Sequence, residues 1–263
     1  MLARARQSLT YRDLLYNLVV RDLKVRYKHS ALGFFWSLLN PILLMAVFTF
    51  VFTQLLPSDR ARPAFPIFFL CALLPWNWCA SSVAGTLGSV VNNGHLINKV
   101  YFPREMLPLS VVLANMINFA LSIPALLLFM VFLRPNFNPT LLYLPVLILT
   151  QVLFLTGLGF FLSALNVFFR DTSVLVEVGL SAWFFLTPII YDAKDVAGDY
   201  VNLMYYLNPM ASIVANYRDI FYYTDTSSPD PLFMLRTFIT SAILCALGYL
   251  FFMRLSRSFG EEI

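Results

Sequence analysis

Charge is scarce in this chain: Asp, Glu, Lys and Arg make up 12% of its 263 residues, while 59% are hydrophobic. A soluble domain carries about twice that charged share, and the mean hydropathy of +0.73 excludes an ordinary water-covered surface. Histidine is nearly missing, with only His29 and His95, and neither has carboxylate or cysteine neighbours at metal-ligand spacing. The three cysteines, Cys71, Cys79 and Cys245, all fall in apolar runs and read as small hydrophobes. No G-x-x-x-x-G-K-[ST] phosphate loop occurs, so the familiar ATP cradle is excluded. A Ser/His/Asp triad finds too few candidates, and no metal is expected. Strand-like alternation is also lacking, which argues against a barrel.

What is present is a series of long charge-poor runs, each near the roughly 20 residues a helix needs to cross hydrocarbon. Six spans are expected, at about 31–56, 63–91, 106–133, 141–169, 174–191 and 232–253. The fold class is an all-α integral membrane protein forming one domain over 1–263. Lys and Arg set its orientation: twelve of the eighteen lie in 1–30, 92–105, 170–173 and 254–263. The positive-inside rule therefore puts both termini in the cytoplasm. The N-terminal basic region is too long for a cleaved signal, so it is expected to be retained.

Before the first span, residues 10–29 form an amphipathic segment. At about 100° per residue, Tyr11, Leu14, Leu15, Leu18 and Val19 share one apolar stripe. Charges then alternate through Arg21, Asp22, Lys24, Arg26 and Lys28. Either this is a topology anchor, or it is a surface helix that meets a partner. The connection 95–105 is apolar for a loop, with Leu96, Ile97, Val100, Tyr101 and Phe102 among His95, Lys99, Arg104 and Glu105. It reads as a helix for a partner's groove or as a loop folded back on the bilayer. Asp171, Thr172 or Ser173 can cap the fifth span, inside which Glu177 either pairs with Arg170 near the interface or faces a transport cavity. Pro41, Pro75, Pro124, Pro145 and Pro188 are expected to kink their spans. On the opposite side, 200–223 is broken by Asn208-Pro209 into two short helices, too apolar for water and too short to span.

Aromatics reach 16%, more than interfacial belts require. Phe48, Phe52, Trp76, Trp78, Trp183, Phe184 and Phe185 are candidates to line a wide path along which sugar C–H faces slide; lipid-facing bulk is the other reading. Ala80, Ala84 and Gly88, or Gly159 and Ser163, mark close helix packing within or between chains.

The run RDLKVRYKHSALGFFWSLLNP, the loop LINKVYFPREMLP, the link FFRDTS and the late LNPMASIVANYRD together resemble the membrane subunit of bacterial ABC exporters for polysaccharides, the O-antigen, capsule and teichoic acid permeases. The resemblance covers nearly the whole chain. It implies six spans in a homodimer in the inner membrane, and two copies of a separate ATPase that binds ATP and Mg, this chain holding no cofactor. It also implies a lipid-linked glycan as cargo and no nucleic-acid partner. Residues 10–29 would be the interface helix and 95–105 the coupling helix, with Arg21, Asp22, Lys24, Arg26, Tyr27, Lys28, His95, Leu96, Lys99, Tyr101, Phe102, Arg104 and Glu105 facing the ATPase. Residues 200–223 would be short exit-side helices. A drug or lipid exporter of the same superfamily remains a rival reading. A secondary transporter would need internal repeats and mid-membrane charges, and neither is evident.

Overall fold

The computed structural model describes residues 11–28, 30, 33–51, 54, 64–99, 102–133, 139–223 and 229–262. Those residues are helical with short connections, and none is in a strand. In chain order the helices are α1 (Arg12–Tyr27), α2 (Trp36–Phe50), α3 (Phe65–Leu87), α4 (Gly94–Lys99), α5 (Met106–Leu133) and α6 (Leu144–Phe168). They continue with α7 (Thr172–Leu186), α8 (Ala193–Ala197), α9 (Val201–Leu207), α10 (Pro209–Phe221), α11 (Pro231–Leu255) and α12 (Phe259–Glu262).

Among the described residues, four helices are long and apolar enough to cross a membrane: α3, α5, α11, and α6 taken with the 3-10 turn before it. Two shorter apolar helices, α2 and α7, lie where the first and fifth spans are expected. α2 is followed only to Phe50, and most of 51–56 lies outside the described residues. α7 ends at Leu186, five residues before the expected limit, because Thr187 precedes Pro188 and is extended (φ −96°, ψ 132°). The clash of a proline ring with the preceding residue disfavours helix there. Pro188 thus terminates a helix instead of kinking one. Pro145 sits in the first turn of α6, where its missing N–H costs nothing, whereas Pro41, Pro75 and Pro124 lie inside helices.

Several helix starts follow from local chemistry. Asn208 accepts from Ala211 N at 3.3 Å ahead of Pro209, and Asp230 accepts from Leu232 N at 2.9 Å ahead of Pro231. Each pairs a capping side chain with a proline at the first helical position. Asp171 holds the N-cap of α7 without a side-chain bond. Its backbone carbonyl accepts from Val174 and Leu175 instead.

α3 is the central helix, packing against α2, α5, α6, α7 and α10. Its residues Ile67 to Leu74 are almost wholly enclosed and form the main core with Phe154, Ile213, Val214, Tyr217 and Ile220. A second core at the α1 end unites Leu18, Val90, Phe102, Met106, Leu107, Phe252 and Phe259. The closest helix pair is α6 and α11, where Gly157 faces Leu244 to Gly248 backbone to backbone. Close packing at Gly159 is also internal: a Cβ there would stand 2.9 Å from Thr86 of α3. Cys71 and Cys79 are buried and Cys245 half-buried, all as free thiols.

Candidate functional site

At the α1 end, α1 runs alongside α5. Leu18 is buried in the second core with Tyr11, Leu14 and Leu15 packed half-buried around it, so this apolar stripe is partly covered by the chain's own helices. The charges that follow divide into two sets. Arg21 and Asp22 form an ion pair at 2.9 Å; Arg21 also donates to Asn93 Oδ1 at 2.9 Å, and Asp22 accepts from Ser110 Oγ at 3.2 Å. These bonds tie α1 to the turn after α3 and to the first turns of α5. Tyr27 donates to Asn118 of α5. Lys24, Arg26 and Lys28 remain exposed.

The 95–105 connection contains one short helix, α4, after a 3-10 turn at Val91–Asn93. His95 is exposed, Leu96 packs on the second core and Phe102 is buried in it. The apolar content that singled out this connection is therefore partly used within the chain. Arg104 donates to the Ser256 carbonyl at the end of α11, and Glu105 is half-buried. Tyr101 and the Lys99 side chain lie outside the described residues.

The aromatic candidates separate as well. Trp76, Trp183, Phe184 and Phe185 form one edge-to-face group, with Trp76 5.7 Å from both Trp183 and Phe184, and Phe184 5.4 Å from Phe185. Phe185 is 69% exposed at its rim. Trp78 belongs elsewhere: it is 2% exposed, stacks on Phe119 at 5.1 Å and donates to the Val112 carbonyl at 3.2 Å. In this arrangement its ring is enclosed by α3 and α5. Phe48 lies against Phe69 at 4.6 Å, and Phe52 is outside the described residues.

α7 is the least covered of the apolar helices. None of its residues is buried, and Ser173, Glu177 and Ser181, spaced on one face, are all exposed. No ion pair joins Glu177 to Arg170 among the described residues. A carboxylate on the outer face of an apolar helix points to a water-filled path or another polypeptide, because lipid tails would leave it unsolvated.

At the far end, α10 is inserted between α3, α6 and α11. Arg218 of α10 is 3% exposed. It donates to the carbonyls of Ile189 at 2.8 Å and Tyr191 at 3.0 Å, and its guanidinium lies 3.7 Å above the Phe68 ring. Asp192, which accepts from Tyr223, supplies a favourable charge. Sequence reading treated 200–223 as an apolar-aromatic segment and missed this residue. The available signal was a cation between Tyr217 and Ile220, where no solvated loop would put one. Trp183 donates to Asn208 Oδ1 at 2.9 Å, tying the aromatic group to the break before α10.

Asp219, beside Arg218, is pushed up to about 6, mainly by burial and further by Asp192 and Asp230, with Lys194 opposing. A carboxyl raised in the folded state binds more protons folded than unfolded between the two values. Its stabilising contribution is thus full at low pH and lost as pH rises towards and past 6. Hydrogen exchange of 209–223 should show opening about tenfold rarer at pH 5 than at pH 7.5, after correction for intrinsic exchange, and Asp219→Asn should abolish the difference.

Residues 13–222 match the family model described as ABC-2 type transporter. Among similar proteins, the O-antigen export system permease protein RfbA of Myxococcus xanthus is 38% identical over 266 residues, covering 100% of both chains. The protein of the same name from Klebsiella pneumoniae is 34% identical over 252 residues, 95% of this chain and 94% of its own. The Polysialic acid transport protein KpsM of Escherichia coli is 20% identical over 211 residues, 77% of this chain and 78% of its own. With the family match over most of the chain and the full-length likeness in agreement, the chain belongs to the ABC-2 type transporter family.

Proposed function

We propose that this chain is the membrane subunit of an ATP-driven exporter that moves a lipid-linked cell-surface polysaccharide, O-antigen or a similar glycan, across the bacterial inner membrane. The full-length likeness to O-antigen export permeases supports the cargo class. Two copies of the chain pair with two copies of a separate ATPase that holds ATP and Mg, while this chain is non-catalytic. Both termini are cytoplasmic, and α2 and α7 complete a set of six spans.

The exposed polar face of α7 is the observation that carries the reading. Ser173, Glu177 and Ser181 lead from the α1 end towards the open rim at Phe185, as a path for a hydrated chain requires. Closure of the ATPase dimer pushes on Lys24, Arg26 and Lys28 and on the 95–105 connection. The Arg21–Asp22 pair, through Asn93 and Ser110, passes that push to α3 and α5. α2 and α7 then move away from their dimer mates, and the glycan slides past Phe184 and Phe185 towards the α9–α10 end. Trp76 and Trp183 support that surface from behind.

Arg26→Ala and Lys99→Glu test the coupling. Each should lower glycan export roughly fivefold or more through loss of ATPase binding or of coupled hydrolysis. Unchanged export together with unchanged ATPase rate in both variants would contradict the proposal.

A further inference from the structure

Between α1, α2, α3 and α5 lies a half-open cavity of about 300 Å³ that is separate from the α7 face and meets the coupling surface only at Arg26 and Tyr27. Asn40, Asn77, Asn115, Asn118, Ser81 and Ser122 contribute to its wall, Arg26 and Tyr27 flank it, and among the described residues no carboxylate takes part. Four amides from three apolar helices thus converge on one space. By helical rise, Asn115 and Ser122 stand roughly 13 and 24 Å along α5 from Met106, within the depth a bilayer core occupies. Asn115 is 3% exposed; its Nδ2 donates to the Val111 carbonyl, but its Oδ1 has no partner, and neither does Asn118 Nδ2. Uncompensated amide groups at this depth cost several kcal/mol, so the cavity requires a polar occupant.

We infer that the occupant is the head group of a glycerophospholipid carrying both a phosphodiester and hydroxyls, of the phosphatidylglycerol kind. The phosphate matches the Arg26 guanidinium and amide donors in a wall without negative charge. The hydroxyls match the acceptor left open at Asn115. Water alone would fill the volume but would leave the cation without a counter-ion. A lipid, as opposed to a free phosphate, follows from α2. Trp36 and Asn40 of the cavity share a helix face with Leu43 and Val47, which are 49% and 57% exposed in the single chain and continue away from the cavity as an apolar bed for acyl chains where α2 stands apart from its dimer mate. Lys24 and Lys28, exposed on the same helix as Arg26, add positive charge that favours an anionic lipid. The site stands whatever the exporter's cargo is.

The test uses the full chain reconstituted in phosphatidylcholine bilayers doped with phosphatidylglycerol, with retained lipid read by native mass spectrometry. The wild type should keep phosphatidylglycerol over phosphatidylcholine by at least about tenfold. The double variant Asn115→Leu/Asn118→Leu should lose that preference, while Arg257→Gln, which removes an exposed cation elsewhere, should keep it. Equal retention of the two lipids, or a preference that survives the double variant, overturns the inference. Displacement by soluble glycerol 3-phosphate at matched concentration overturns the lipid assignment. If the double variant does not fold, a photoactivatable phosphatidylglycerol on the wild type decides: labelling concentrated around Asn40 and Asn118 supports the site, and labelling spread evenly over the helices overturns it.

Discussion

Arg218→Ala should release the whole far end of the protein, costing about 3 kcal/mol or more. One guanidinium there holds two carbonyls, of Ile189 and Tyr191, that belong to no regular element, and it covers the Phe68 face. Truncation takes this donor from the buried Ile189 carbonyl and the part-buried Tyr191 carbonyl and removes a favourable charge near Asp192. Arg218→Lys keeps the charge but replaces a planar fork with a single point donor, so it should recover only part of the loss. The melting temperature in detergent should fall for both variants in that order. Hydrogen exchange should speed up over 187–223 while the α1 end is unchanged.

Gly248→Val should be as damaging by a different route. A Cβ at Gly248 runs into the Gly157 carbonyl of the facing helix, and one at Gly157 would stand 2.6 Å from the Leu244 carbonyl and 2.7 Å from Cys245 Cα. These obstacles are backbone, which cannot swing aside as a side chain can. α6 and α11 must therefore separate along their length. Overpacking of this kind costs about 3 kcal/mol, and membrane helices lack a hydrophobic force to re-form the pair. Folded yield after solubilisation should collapse. Gly179→Ala is the matched control, since nothing lies within 4 Å of its added Cβ. That variant should fold as well as the wild type or slightly better, given alanine's helix propensity.

Features that depend on neighbours in the chain were legible in the sequence. The apolar runs, the Asn208-Pro209 break and the basic segment each announce themselves through composition or a capping dipeptide, and α3, α5, α6, α10 and α11 lie where these signals put them. Pro188 shows the limit: a proline in an apolar run can kink or end a helix, and which occurs depends on how far the run must still travel. Features that depend on convergence were not legible. Asn40, Asn77 and Asn115 each look like an isolated polar residue in its own span; only the packing of α2, α3 and α5 brings them to one cavity. Arg21 and Asp22 read as part of one run of alternating charge, yet Asn93 and Ser110 turn them inward. Trp76 and Trp78 are both path-lining candidates on aromatic excess alone. Two residues apart on a helix point in opposed directions, so one joins the Trp183 group while the other stacks on Phe119.

On the proposed function, the chain passes glycan across a membrane at the expense of ATP hydrolysed by a partner. The direct measurement purifies the chain with its co-purifying ATPase, reconstitutes the complex in vesicles with the lipid-linked glycan on the outer face, and follows appearance of glycan in the lumen. The account predicts transport that starts with Mg-ATP, stops with a non-hydrolysable analogue and ignores an imposed proton gradient. Transport driven by the gradient without ATP, or steady ATP hydrolysis by the intact complex without glycan movement, would contradict it.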